Sequence, residues 1–186
     1  YTQATVLGAA RANFQFDELM FLSTCNRVEL YVVTPNDVTP YVIEKIIAAI
    51  NPSLSKTVID EISGSVVLLK DEAAVSHVFK VASSLNSLVV GEREIITQLR
   101  KAYDLCNSLK LTGDFIRLLV KSTIETAKQV FTETDIAKNP VSVVSLAYRQ
   151  LRELGIKNDA RILIVGAGET NTKMANYLQK HKFANF

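Results

Sequence analysis

Two stretches of this sequence hold residues of the types and spacing that chemistry needs. In the first, Ser23, Thr24, Cys25, Asn26 and Arg27 form a polar block between the apolar runs Leu19 to Leu22 and Val28 to Val33. A cysteine in such a loop is partly exposed, and a cation two residues away favours its thiolate, the form that attacks carbonyl carbon. Cys25 is therefore a candidate nucleophile, weighed against the commoner role of a lone cysteine as a small buried hydrophobe. In the second stretch, Gly166, Ala167, Gly168, Glu169, Thr170 and Asn171 lie where a β-branched run, Arg161 to Val165, gives way to a helical pattern. Glycines at a strand-to-helix turn let backbone N–H groups and a helix N-terminus approach a pyrophosphate. The fingerprint is incomplete: Asn171 stands at its third glycine position, and the ribose-reading residue expected about 20 positions on falls past Phe186.

Other polar residues have a plainer reading on spacing alone. His77 shares a helical face with Ala74, Val78 and Val81, which is the pattern of a hydrogen-bonded core histidine. Ser87, Gly91, Glu92, Glu94 and Gln98 gather at a helix start, where acidic side chains complement the helix dipole. Arg117, Lys121, Lys128 and Lys138 read as a solvated face, because no aromatic residues interleave with them as a nucleic-acid surface would require. Cys106, beside Leu105 in a helical segment, reads as packing. The 2 cysteines and 2 histidines lack the paired spacing of a zinc site, so no metal is expected.

These residues must be positioned by an α+β chain. The runs around the cysteine block predict strand, loop, strand, and Val28, Leu30 and Val32 alternate with Glu29, Tyr31 and Val33, so Glu29 and Tyr31 share a sheet face. After the turn at Thr34, Pro35, Asn36 and Asp37, a helix is predicted over 38–50 and a short strand over Val66 to Leu69. Helical periodicity then holds over about 71–82, 91–109 and 113–133. Lys138, Asn139 and Pro140 mark the expected domain boundary, followed by an amphipathic helix from Val141 to about Leu154, the strand Arg161 to Val165 and a helix from Glu169 to Lys180.

Composition narrows the class. In 186 residues, 48% are hydrophobic, enough for a packed core and too many for a disordered chain. The 21 Lys and Arg nearly balance 19 Asp and Glu, so no whole-protein field draws the molecule to polyanions. No apolar run reaches the roughly 18 residues that span a bilayer, and no signal-peptide layout opens the chain, which predicts a soluble, intracellular protein without membrane contact. The start at Tyr1 and the end in mid-pattern predict that the chain is part of a longer polypeptide.

The cysteine block Ser23-Thr24-Cys25-Asn26-Arg27-Val28-Glu29, the block Ser87-Leu88-Val89-Val90-Gly91-Glu92, the helix opening Val141-Ser142-Val143 and the turn Gly166-Ala167-Gly168-Glu169-Thr170 together resemble the glutamyl-tRNA reductase family in order and spacing. The resemblance covers nearly the whole chain. It implies a ferredoxin-like catalytic domain with a helical half over 1–139, then the first βα unit of a truncated Rossmann domain over 140–186. It implies NADPH as cofactor, glutamyl-tRNA(Glu) as substrate, a cytoplasmic homodimeric parent, and channelling of product to the downstream aminomutase. Cys25 would attack the aminoacyl ester and hold a glutamyl thioester that is reduced to glutamate-1-semialdehyde, the first step toward porphyrins and haem. His77 would be important for activity. Thr24, Cys25, Asn26, Arg27, Ser87, Glu92, Arg93, Glu94 and Gln98 would line the substrate site, with Arg27 suited to a carboxylate. Gly166, Ala167, Gly168, Glu169, Thr170 and Asn171 would hold the cofactor phosphates. The family usually has Pro-Gln where this chain has Arg93-Glu94, and glycine where it has Asn171. One βα unit is not expected to bind NADPH productively. The alternatives are a non-catalytic nucleotide-sensing homologue and a thioester-forming reductase of acyl groups not carried by tRNA.

Overall fold

A computed structural model describes residues 3–87, 90–91, 93–137 and 142–186. Helix α1 (Gln3–Asn13) leads into strand β1 (Glu18–Ser23), which turns back antiparallel as β2 (Val28–Val33), in register from Glu18 opposite Val33 to Ser23 opposite Val28. Helices α2 (Pro40–Ile50), α3 (Lys56–Ser65), α4 (Asp71–Ala82), α5 (Glu94–Ser108) and α6 (Asp114–Glu133) follow, with a single 3₁₀ turn at Asp135–Ala137. Helices α7 (Val143–Glu153) and α8 (Glu169–Lys180) complete the chain. The class is α+β, as the sequence predicts, and the predicted helices and hairpin form within a few residues of their expected bounds. No helix among the described residues is long and apolar enough to cross a membrane.

Strand β1 is the centre of the core. Leu19, Met20, Phe21 and Leu22 are all buried, so both faces of this strand are covered, by α5 and by α1 and α6. Burying four large apolar side chains in succession is the main reason the hairpin holds. Two N–H groups of β1 find partners outside the hairpin: Leu19 donates to the Leu111 carbonyl at 2.8 Å and Phe21 to the Cys106 sulfur at 3.5 Å. Cys106 is fully buried and burial pushes its thiol up, which agrees with the packing role read for it.

Helix α6 begins at Gly113, which has no side chain to cap it. The cap comes from β1 instead. Glu18 accepts from the N–H groups of Gly113 at 2.8 Å, Phe115 at 3.0 Å and Ile116 at 2.8 Å, satisfying orphan donors of the first turn. A Cβ on Gly113 would lie 2.7 Å from a Glu18 carboxylate oxygen, so glycine is what admits that carboxylate. Arg11 ties α1 to the same region, donating to the carbonyls of Phe16, Asp17 and Lys110.

Two predicted strands do not form. Residues 66–69 form no ladder and are exposed, Val67 to 79%, and β1 and β2 pair with no other strand among the described residues. The run Arg161 to Val165 makes one isolated parallel bridge, Arg161 with Asn185, where Ile162 donates to the Asn185 carbonyl at 2.8 Å. Leu163 is 87% exposed. β-branched composition describes a fit to a covered pleated surface, and these segments lack the cover. Helices α1 and α3 were not foreseen. The predicted domain boundary at Lys138, Asn139 and Pro140 lies outside the described residues.

Helices α7 and α8 pack through aromatic rings, Tyr148 stacking on His181 at 4.3 Å between centroids and meeting Tyr177 edge-on at 5.2 Å. Ser142 and Ser145 close a reciprocal capping box at the start of α7.

Candidate functional site

The cysteine block becomes the turn that joins β1 to β2. Thr24 donates its N–H to the Arg27 carbonyl at 2.9 Å, and its hydroxyl accepts from the N–H groups of Asn26 and Arg27, each at 3.2 Å. Threonine thus holds the turn from inside, the local hydroxyl-to-backbone pattern that favours such residues at turns. Cys25 and Asn26 are left exposed at its tip, and Cys25 is a free thiol.

Behind the tip, Glu29 gathers the polar side chains. One carboxylate oxygen, Oε1, accepts from Arg27 Nη1 at 3.0 Å and lies 3.0 Å from His77 Nε2, which arrives from α4. The other, Oε2, accepts from the Tyr31 hydroxyl. The second arm of Arg27, Nη2, donates to the Asn86 carbonyl and so fastens the loop after α4 to the cysteine turn. The side chains of Arg27, Glu29 and His77 are 11%, 17% and 28% exposed. Burial pushes the Glu29 carboxyl up, but hydrogen bonds from Tyr31 and His77 and the charges of His77 and Arg27 outweigh it and hold the group below the ordinary carboxylate value. Burial first, then the Glu29 charge and hydrogen bond, push the Tyr31 phenol far up, so it stays a donor.

Of the residues expected at the site, Arg27 and His77, the latter expected as a catalytic residue, meet at Glu29, and Thr24, Cys25 and Asn26 form the turn ahead of it. Ser87 is half-buried and follows Asn86, the residue whose carbonyl Arg27 grips. In the same loop Gly91, at φ +90°, donates its N–H to the buried Ser84 hydroxyl at 3.0 Å. Arg93 holds its guanidinium 5.4 Å above the Phe131 ring of α6. Glu94 is exposed in the first turn of α5 and Gln98 is half-buried one turn on; Glu92 lies outside the described residues. Arg27, expected to face a substrate carboxylate, is engaged here by a protein carboxylate. The spacing-based picture of His77 as a core histidine is corrected in one respect: its partner is the half-buried Glu29, and its ring lies at the cluster rather than in the apolar core. Glu29 and Tyr31 were not singled out as site residues. The sequence signals for them were their shared strand face and the place of Glu29 at the end of the cysteine block.

The second candidate stretch forms an exposed turn. Gly166 has φ +100°, a conformation that favours glycine, and Gly168 caps α8. Asn171 bends back to donate Nδ2 to the carbonyls of Val165 at 2.7 Å and Gly166 at 3.1 Å, closing the turn through its side chain. A Cβ on Gly168 would meet nothing within 4 Å, and no side chain caps the start of α8. Open space over backbone N–H groups at a helix start fits a phosphate. Glu169 is paired with Lys173 at 2.7 Å, both exposed.

The family described as glutamyl-tRNA(Glu) reductase, N-terminal domain, matches residues 2–134, most of the chain and the whole of the cysteine cluster. The chain belongs to that family. Among curated relatives, the glutamyl-tRNA reductase of Campylobacter hominis is 37% identical over 92% of this chain and 39% of its own length. That of Aquifex aeolicus is 34% identical over 94% of this chain and 42% of its own. The solved glutamyl-tRNA reductase of Methanopyrus kandleri superposes with a TM-score of 0.62 at 29% identity, covering 97% of this chain and 41% of that one. The chain therefore spans about two fifths of the length of the reductases it matches. Their family resemblance runs through both candidate stretches, since the matched regions cover nearly all of this chain.

Proposed function

We propose that this chain carries the glutamyl-tRNA-binding and nucleophile-bearing part of a glutamyl-tRNA reductase. The observation that supports this most directly is the free, exposed Cys25 at the tip of a turn braced from behind by Glu29, Arg27 and His77. The Cys25 thiolate would attack the carbonyl carbon of the glutamyl ester, forming a C–S bond as the C–O bond breaks and the tRNA ribose hydroxyl leaves with a proton. A thioester accepts hydride more readily than an ester, so the sulfur divides one hard step into two easier ones. NADPH, when bound, supplies that hydride, and reduction gives glutamate-1-semialdehyde and restores the thiol. Thr24 and Asn26 would shape the pocket mouth, with Ser87, Arg93, Glu94 and Gln98 contributing from the loop before α5 and its first turns, and Glu92 is proposed as a further substrate-binding residue on the family resemblance alone.

Residues 166–171 are proposed to hold the cofactor phosphates on the uncapped start of α8. The parallel bridge from Arg161 to Asn185, made across α8, supports reading this stretch as the opening of a Rossmann unit. In this reading residues 1–139 are a ferredoxin-like catalytic domain and 140–186 the start of the cofactor domain, in a cytoplasmic homodimer that passes its reactive product to an aminomutase.

The test is intact-mass spectrometry of the chain and its Cys25→Ser variant after incubation with glutamyl-tRNA and no NADPH. A glutamyl adduct on the parent chain, absent from the variant, is the expected result. An equal adduct on both would overturn Cys25 as nucleophile, and labelling by free glutamyl thioesters with none from glutamyl-tRNA would overturn the substrate.

A further inference from the structure

Glu29 has two carboxylate oxygens and they do different work. Oε1 is shared by Arg27 and His77, the two side chains that link the cysteine turn to the loop after α4 and to α4 itself. Oε2 is occupied by the Tyr31 phenol, two residues along β2 on the same sheet face. A carboxylate is free to rotate about its last torsion unless both oxygens are held. Because the phenol donates to Oε2, Oε1 is kept on Arg27 and His77. An ionised carboxylate can only accept, so the hydrogen between Glu29 and His77 belongs to Nε2. In the neutral ring Nδ1 is then the atom that keeps its lone pair.

We propose that Tyr31 is a positioning residue of the nucleophile site: by holding the second oxygen of Glu29, it keeps the first on His77 and fixes that imidazole with its hydrogen on Nε2 and its basic lone pair on Nδ1. This rests on the reading of Cys25 as an acyl-accepting nucleophile only for its consequence in catalysis; the state of the ring stands by itself. It also gives Tyr31 a role that its burial alone does not, since phenylalanine would fill the same space and leave the carboxylate half-held.

The protein has 2 histidines, and His181 is packed on Tyr148 in the α7–α8 pair, so the two rings are separable in a ¹⁵N-histidine spectrum and His181 serves as an internal control. At alkaline pH, where ordinary imidazoles are neutral, His77 in the parent chain is expected to show a ring proton bonded to Nε2, moved downfield by its carboxylate partner. In Tyr31→Phe that proton is expected to exchange with water about tenfold faster or more, the scale of one hydrogen bond to a charged group. The acylation rate constant at saturating glutamyl-tRNA falls in the same variant, with little change in the concentration that half-saturates it. His181 does not respond.

A parent His77 protonated at Nδ1, with Nε2 bare, overturns the proposal without any variant. So does a folded Tyr31→Phe chain whose His77 proton exchanges at the parent rate. If Tyr31→Phe does not fold, Glu29→Gln supplies the second measurement: the Nε2 proton must lose its protection there too, and its persistence overturns the proposal. Failure of Cys25 to accept a glutamyl group, with the His77 signature intact, sinks the functional reading and leaves the positioning of the ring in place.

Discussion

The cysteine turn and the glycine turn begin alike, each a polar stretch after a short apolar run, and they end held in different ways. The cysteine turn, closed inside by Thr24, is also braced from outside itself: Glu29 and Tyr31 come from β2, His77 from α4, and the Asn86 carbonyl from the loop beyond α4. The glycine turn is fixed from within, by Asn171 reaching back to Val165 and Gly166 and by Thr172 donating to the Gly168 carbonyl at 3.1 Å. A turn braced by distant elements is only as ordered as their packing. A turn braced by its own side chain is ordered locally and leaves its backbone open. The first arrangement suits a site where several side chains must converge on one atom, the second a site that offers N–H groups to a ligand.

The largest expected effect comes from removing the hub of the first turn. Glu29→Ala leaves Arg27, His77 and Tyr31 without their shared acceptor in a mostly enclosed site, so we expect a loss of about 2–3 kcal/mol in urea unfolding together with loss of Cys25 acylation. Retention of both would mean that the cluster does not brace the turn.

A smaller effect is expected at the α6 cap, which connects the same hairpin to the helical half. Glu18→Ala and Gly113→Ala should each cost about 1–2 kcal/mol, the first by deleting the cap and the second by displacing it. The double variant should cost little more than either single one, because both remove the same contact. Additive losses would show that Gly113 matters for some other reason.

The pH dependence should carry the signature of the first turn. Glu29 has its folded value lowered from an ordinary 4.5, so its contribution is complete above that pH and is lost as pH falls through the folded value. Tyr31 has its folded value raised from an ordinary 10.0, so its contribution is complete below pH 10.0 and is lost as pH rises above it. Thermal melts of the parent and Tyr31→Phe should therefore converge at strongly alkaline pH. Parallel curves across that range would detach Tyr31 from Glu29.

The smallest effect belongs to the second turn. Asn171→Ala should lower stability by about 0.5–1 kcal/mol, with no change in Cys25 acylation, since its bonds stay within the turn. An acylation defect would show that the two turns are coupled.

Most of the helices and the hairpin were legible because their burial is periodic, as in α6, where Ile116, Val120, Ile124, Ala127 and Phe131 all face the core. Helix α1 escaped notice because it buries only Leu7 and Ala10, and α3 because it buries no residue at all, so neither writes a stripe into the sequence. The segments 66–69 and 161–165 misled in the opposite sense, since Val, Ile and Leu content is visible in a sequence and the neighbour that would cover it is not. Cys25 was legible from its polar setting and from family resemblance. The partnership of Glu29 with His77 was not, because it spans 48 positions and exists only once α4 has packed on α5 and α6 and its His77 side chain reaches β2. Asn171 appeared as a departure from a glycine pattern, and its side chain proves to be the clasp of the turn.

The Glu18 carboxylate reaches across 95 positions to complete the first turn of α6. A helix start finished by a remote strand cannot mature with its own helix. Its closure waits on a long loop, which places it among the late, non-local events of folding. The amides of Phe115 and Ile116 thus belong to the cooperative unit of the hairpin rather than to a fraying helix end. Their exchange with solvent reads the docking of β1, so two protons in the helical half keep the time at which the hairpin that carries Cys25 comes into place.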